Sequence, residues 1–563
     1  MSAQAKLRTA ARALVDQLEI NGVDHVFSVP GESFLGVLDA LRDSDIVLTV
    51  CRQEGGAAMM ADAVGKATGR PGVCFVTRGP GAANATAGIH VAWQDSTPMV
   101  MFVGQVDRAV RGRDAWQEID CAAVFGSMTK WAVELDDPNR ISEYVARAFH
   151  VAASGRPGPV VIGLPHDLLA EPTACADAPP FAAAEPSPGP GEIAELKALL
   201  AQSSAPILLV GGSRWDEDAR ASIERFAERF ALPVATAYRR LPLFDALHPN
   251  YAGDLGLAAN PRLVARFKAA DLVLAIGSRL SEVTTQGYTL FDIPKPETKL
   301  VHVHPGPEEL GRVFSPHLAI NATPGRFAAA LDDLTLIGPP PWRGAAVAAH
   351  SDYLAWSEAA SDQPGEVNLG DIMIWLRENL PSDAIICNGA GNYAAWIHRY
   401  FRFRAFASHI APTSASMGYG MPSAVAMQRL YPHRRVVSIN GDGDFLMNGQ
   451  EFATAVHYGL PITVVVLDNG VYGTIRMHQE REFPGRVIGT DLTNPDFAAY
   501  ARAFGGFGAS VARTADFPPA FAAATASGLP SIVHVKYDAE AITPSQTLSG
   551  IRAAALADKG SVG

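Results

Sequence analysis

Short apolar runs with no polar alternation recur along the chain, each bounded by Gly or Pro. Residues 73–77 (VCFVT), 98–104 (PMVMFVG) and 158–164 (GPVVIGL) form a first group. Residues 206–212 (PILLVGG), 272–277 (LVLAIG) and 300–304 (LVHVH) form a second. The third is 384–389 (AIICNG), 435–441 (RVVSING), 462–469 (ITVVVLDN) and 530–537 (PSIVHVKY). Longer stretches with helical spacing lie between them. A strand that lacks a polar face is buried on both sides, so these runs predict parallel sheets covered by helices. At the N-terminus Leu7, Ala10, Ala11, Leu14 and Leu18 recur at helical spacing and predict an amphipathic helix.

Two stretches break the pattern: Pro172–Gly191 and Gly338–His350, rich in Pro and Ala and poor in large apolar groups. Both read as linkers. They divide the chain into residues 1–171, a linker 172–191, residues 192–337, a linker 338–355 and residues 356–563. The expected fold is α/β, three doubly wound parallel-sheet domains, with ligands beyond the carboxyl ends of the strands.

Composition narrows the function. Apolar residues make up 48% and charged residues 18% of the 563 positions, enough to bury large cores and exclude disorder as the main state. The net charge is −12, and no basic block reaches five residues, which argues against nucleic-acid or acidic-membrane partners. No apolar stretch is long enough to span a bilayer, and no signal-peptide core precedes the first helix, so a cytoplasmic protein is expected. Cys51, Cys74, Cys121, Cys175 and Cys387 are scattered without a CxxC pair, which reads as reduced, buried thiols.

The most informative stretch is Gly441–Gly470, GDGDFLMNGQEFATAVHYGLPITVVVLDNG. It leaves one apolar run, passes a helix expected near Gly449–Tyr458, and ends at the exit of the next run. A strand–helix–strand unit returns Asp442 and Asn469 to the same sheet edge. A carboxylate and an amide oxygen there, with a backbone carbonyl just after, make a hard-oxygen site suited to Mg²⁺. Gly441 and Gly443 would let backbone approach a ligand, and the helix N-terminus beyond them favours a diphosphate.

In this arrangement the sequence resembles the thiamine-diphosphate-dependent enzymes, over nearly the whole chain. The resemblance implies that Asp442, Asn469 and the carbonyl of Val471 hold Mg²⁺ and that the metal holds the diphosphate. It implies that the three segments are pyrimidine-binding, central and diphosphate-binding domains, in that order. It also implies a homodimer or homotetramer whose active sites lie between copies. Glu54 follows the run IVLTV and precedes a small-residue helix, where the family keeps the acid that protonates the aminopyrimidine. Its context is Arg52-Gln53-Glu54 instead of the usual Arg-His-Glu, and its carboxyl is expected in a dry pocket. In SASMGYGMP, Met417 would lie beneath a bent cofactor and Ala415 would offer a carbonyl to the 4′-amino group; Met447 matches a second methionine against the cofactor.

Residues 77–120 resemble the acetolactate-synthase-like branch, with Pro80 and Asn84 in GPGAAN toward the cofactor and Gln117 as a catalytic residue beside Glu118. Trp116 replaces the usual Phe, and Lys130 matches a lysine of the active-site channel. NGAGNYAAW would put Ala390, Gly391, Asn392 and Tyr393 around the diphosphate, with Gly441, Gly443, Asp444 and Tyr472 beside them. The branch implies decarboxylation of a 2-oxo acid with carboligation to a second carbonyl. A decarboxylase or 2-hydroxyacyl lyase releasing an aldehyde is the alternative, and an inert cofactor-binding subunit a third reading.

The chain also departs from the branch. GVYGTIRMHQEREFPGR carries Thr474 and His478 where the synthases have Met and Trp, which predicts a roomier, more polar acceptor pocket. His478 reads either as a proton donor to product or as a loop histidine. SRLSEVTTQGY keeps Arg279 but not an Asp-Asp-Arg run, and Gly211-Gly212 is a weak phosphate signal, so FAD stays open. No dinucleotide fingerprint supports a nicotinamide enzyme.

Overall fold

In the computed structural model, residues 7–335 and 338–560 are described. The chain forms two compact units. One ends at Ala184 and includes Val425–Leu430; the other starts at Glu185 and holds the rest.

In the first unit, strands β1 (Arg8–Thr9), β2 (His25–Ser28), β3 (Val47–Val50), β4 (Gly72–Val76), β5 (Met99–Gln105), β6 (Trp131–Glu134), β7 (Pro159–Pro165) and β8 (Pro172–Thr173) alternate with helices. Strands β2 to β7 form a parallel sheet in the order β3-β2-β4-β5-β7-β6. Every residue of β4, β5 and β7 is buried, as their unbroken apolar runs require. The rings of Phe34, Phe75 and Phe102 stack across the sheet, with centroids 6.0 and 4.9 Å apart. On the other face, helix Glu54–Thr68 packs against helix Gly79–Asp95 at a distance only small residues permit. A Cβ on Gly88 would come within 2.4 Å of Ala58 Cβ.

The second unit holds two further sheets. Strands β9 (Pro206–Val210), β10 (Val234–Ala237), β11 (Tyr251–Leu255), β12 (Leu272–Ile276), β13 (Lys299–His304) and β14 (Leu318–Asn321) lie in the order β11-β10-β9-β12-β13-β14. Strands β15 (Ile385–Asn388), β16 (His409–Ile410), β17 (Val436–Gly441), β18 (Thr463–Asp468), β19 (Phe507–Val511) and β20 (Ser531–Lys536) lie in the order β16-β15-β17-β18-β20-β19. Both sheets are wholly parallel. The fold is therefore the expected one: three doubly wound α/β sheets.

Three local expectations differ from what is observed. Leu7 is exposed and precedes the first helix, Ala10–Ile20, because Arg8–Thr9 pair with Pro172–Thr173 and the Thr9 hydroxyl caps the helix by accepting from the Arg12 N–H. The stretch expected as a first linker is pinned along the first unit: the Ala178 N–H donates to Gln17 Oε1, and Phe181 packs on Phe149. Within the second expected linker, Ala345–Ser357 is helical, its Tyr353 edge-on to Tyr251 at 4.8 Å. Once the prolines end at Pro341, the Ala-rich sequence has no reason to stay extended.

Candidate active site

Strands β17 and β18 are hydrogen-bonded neighbours in parallel register, Gly441 opposite Leu467, so Asp442 and Asn469 leave the sheet side by side. Asp442 is buried and collects donors: the Gly443 N–H on Oδ1 at 2.9 Å, and the Gly470 N–H and Asn494 amide on Oδ2 at 2.9 and 2.7 Å. Burial, with Asp468 adding like charge, holds its pKa above the usual carboxylate range. Asp468 accepts from the same Gly470 N–H (3.1 Å) and the same Asn494 amide (2.8 Å), and from His534 Nε2 at 2.8 Å. Burial would raise its pKa, but His534 and the other donors outweigh that and hold it low. Beyond Asn469 the chain bridges to a returning segment: Val471 pairs with Asp491, the Tyr472 N–H reaches Thr490 O and the Leu492 N–H reaches Gly470 O. That segment delivers Asn494. Among the described residues no three His, Cys, Asp or Glu side chains are grouped as a metal site. The groups drawn together here are the carboxylates of Asp442 and Asp468, the Asn494 amide and the His534 ring.

The motif is helical from its first acid. Helix Asp442–Asn448 starts well before the expected Gly449 and is followed by helix Glu451–His457. The two glycines make room for tyrosine rings: a Cβ on Gly441 would lie 3.1 Å from the Tyr393 ring, and one on Gly443 2.6 Å from the Tyr472 ring. Asp444 is buried with both oxygens taken by protein donors. The Tyr393 hydroxyl is 2.6 Å from Oδ2, and the Gly418 and Ala390 N–H groups are 2.7 and 3.4 Å from Oδ1. Burial pushes its pKa up to about 6. Gly391 and Ala415 are exposed, the latter in the left-handed region at φ 54°; Met417 is half-buried and Met447 is 48% exposed. The Thr474 hydroxyl donates to Asn392 Oδ1 at 2.8 Å, so it is engaged and does not simply enlarge a pocket. His478 is exposed on helix Gly473–Glu482, not in a loop.

In the first unit, Glu54 opens its helix half-buried, with the Asn84 amide donating to Oε2 at 2.9 Å. A Cβ on Gly81 would come within 3.1 Å of Oε1. Pro80 lies in the first turn of helix Gly79–Asp95, exposed. Gln117 takes a left-handed φ of 64° and its carbonyl accepts from the Gly79 N–H at 3.0 Å, which brings the 112–118 loop beside the Gly-Pro-Gly turn. Glu118 fixes that loop by accepting from the Gly112 and Ala115 N–H groups. A cavity of about 700 Å³ opens at the carboxyl edge of this sheet, lined among others by Glu32, Arg78, Asp107, Arg113, Trp116 and His166. Lys130, expected near a channel, donates to the Ser154 carbonyl.

Three stretches match the domains of one family. Residues 8–124 match the thiamine pyrophosphate enzyme N-terminal TPP binding domain, 193–331 the central domain and 389–535 the C-terminal TPP binding domain. The chain is 32% identical over 543 residues to the acetolactate synthase large subunit of Parasynechococcus marenigrum, covering 94% of this chain and 87% of the relative. This chain belongs to the thiamine pyrophosphate enzymes. The acetolactate synthase isozyme 2 large subunit of Escherichia coli is 30% identical, covering 94% and 95%. The large subunit of Corynebacterium glutamicum is 31% identical, covering 92% and 85%. The sequence reading of the family and its acetolactate-synthase-like branch therefore holds. That reading did not find Asp468, Asn494 or His534. Asp468 ends an apolar run and looks like its boundary, and Asn494 reaches the site through backbone pairing that leaves no local pattern.

Proposed function

We propose that this thiamine pyrophosphate enzyme decarboxylates a 2-oxo acid and joins the remaining acyl unit to a second carbonyl, as the names of its relatives suggest. The observation that carries the reading is the shared sheet edge of Asp442 and Asn469. An oxygen-rich donor set with one carboxylate fits Mg²⁺, which takes hard oxygen ligands. Asp442, Asn469 and the Val471 carbonyl would hold that ion. Asn392, Tyr472 and the backbone around Ala390 and Gly391 would face the diphosphate. When bound, thiamine diphosphate supplies the C2 carbon that attacks the oxo acid and accepts the electrons released with CO₂. Glu54, steadied by Asn84, would exchange a proton with the aminopyrimidine nitrogen. Asp444, with its side-chain oxygens engaged, would serve the site by tying Tyr393, Ala390 and Gly418 together.

We further infer a cytoplasmic homodimer or homotetramer in which one copy's Glu54 serves the cofactor held by another copy's Asp442. The five free cysteines suit a reducing compartment. Among the described residues no helix is long and apolar enough to cross a membrane. The first-unit cavity supports an acceptor larger or more polar than pyruvate. Purified protein with thiamine diphosphate, Mg²⁺ and pyruvate tests the class, by mass spectrometry of products with and without larger aldehydes and oxo acids. A ligated product supports carboligation; free aldehyde alone would favour the lyase alternative.

We infer that the central sheet does not hold FAD. Strand order reverses between β9 and β12, where a dinucleotide would lie. There a Cβ on Gly212 would sit 1.8 Å from Gly277 O, and the buried Trp215 indole donates to Gly211 O at 2.7 Å. The N-terminus of the following helix is capped by Asp216, with Glu217 and Asp218 in its first turn. A buried tryptophan beside the turn and three acidic residues at the start of the following helix disfavour a diphosphate there, and FAD titration should show no saturable binding.

A further inference from the structure

Asp442 is an ordinary acid in an unusual bonding position. A carboxylate offers about two lone pairs on each oxygen. On Oδ2 both are used, by the Gly470 N–H and the Asn494 amide, at 2.9 and 2.7 Å. On Oδ1 a single donor is bound among the described residues, the Gly443 N–H at 2.9 Å. The free lone pair therefore belongs to Oδ1.

The donors on Oδ2 are themselves held. The Gly470 N–H and the Asn494 amide are shared with Asp468 Oδ1, at 3.1 and 2.8 Å. Asp468 Oδ2 takes the Nε2–H of His534 at 2.8 Å. His534 is 1% exposed, its ring edge-on to Phe497 at 5.0 Å, with Asp496 Oδ1 3.7 Å from Nδ1. Asp468 is thus bonded on both oxygens and has less to offer a cation, although it precedes Asn469. Two carboxylates this close repel unless donors lie between them, and among the described residues Asn494 is the side chain that donates to both.

We propose that Asn494, anchored through Asp468 to His534, is a positioning residue that presents Asp442 to a divalent cation through Oδ1 alone. The inference rests on the reading of Asp442 as a metal ligand. Without the Asn494 amide, Oδ2 regains a lone pair, the carboxyl is held less firmly, and its repulsion from Asp468 is relieved by the shared Gly470 N–H alone. Cation affinity falls while the ligand atoms remain.

The test is calorimetric titration of Mg²⁺ into full-length apoprotein at fixed thiamine diphosphate, with thermal unfolding of the apo and loaded forms. Asn494→Ala should weaken Mg²⁺ binding about ten- to a hundred-fold, the loss of one hydrogen bond to a charged group. Its apo midpoint should stay near wild type, and saturating Mg²⁺ should restore thiamine diphosphate affinity. Asn494→Ser, with a shorter reach, should move the same way. Unchanged Mg²⁺ affinity in both, while Asp442→Ala abolishes it, overturns the positioning role and leaves the metal site standing. Retention of thiamine diphosphate by wild type without Mg²⁺ overturns both.

Discussion

His304 ends β13 in the central sheet, 3% exposed, and is neutral because burial and the neighbouring His302 depress its pKa to about 4. The Gly306 N–H donates to its Nδ1 at 3.0 Å. The facing ionisable groups are His302, itself held low by burial, and Glu309 with its partners Arg279 and Arg312. An unfolded histidine titrates near 6.5. The folded pKa lies below the unfolded one, so the stability from keeping His304 neutral is complete above pH 6.5. It is lost progressively as the pH falls toward 4. At pH 5 the unfolded chain is almost fully protonated at this residue and the folded chain hardly at all, a penalty of about 2 kcal/mol. For a domain of this size that lowers the unfolding midpoint by roughly 4–8 °C. His304→Asn keeps an acceptor for Gly306 and removes the titration. Thermal unfolding of wild type and variant should be compared at pH 7.5 and pH 5, using only the difference between the two pH values. The variant's acid-induced drop should be smaller by that amount. Equal drops in both proteins would refute the account.

Glu54→Gln should retain thiamine diphosphate and Mg²⁺ but lose proton exchange at C2 by several orders of magnitude, read by hydrogen–deuterium exchange; normal exchange would remove Glu54 from the mechanism. Thr474→Val deletes the hydroxyl that holds Asn392 and should weaken thiamine diphosphate binding roughly five-fold, the worth of about 1 kcal/mol; an unchanged calorimetric affinity would separate Asn392 from the diphosphate. Mixing inactive Glu54→Gln and Asp442→Ala subunits should regenerate some activity, and a failure of exchanged subunits to do so would count against sites shared between copies.

What the sequence made legible follows from periodicity. Ten apolar runs became strands within two residues of their expected ends, because a strand buried on both faces admits no polar alternation. Edge strands were harder to see. Strand β6 is half-buried throughout and β16 has two residues, so neither leaves a run to notice. Asp442 and Asn469 were legible because one strand–helix–strand unit fixes their common edge. Asn494 was not, since its place depends on the 490–492 segment pairing with residues 470–472. The Thr474 hydroxyl was seen, but its partner Asn392 lies on a different strand exit, and only the fold brings them together.

The glycines of the Gly-Asp-Gly motif have a packing role that their spacing did not show: a side chain at either would meet the ring of Tyr393 or Tyr472. A side chain at Gly443 would displace Tyr472 first and anything bound only afterwards. Tyr393 is held in turn by Asp444, which also gathers the N–H groups of Gly418 and Ala390. Two acids in one helical turn therefore do opposite work. Asp444 spends its oxygens on the protein and locks three chain segments into one platform. Asp442, bonded on one oxygen by two donors and on the other by one, keeps a single lone pair unspent. The platform needs Asp444 saturated, and the proposed cation would need Asp442 not to be.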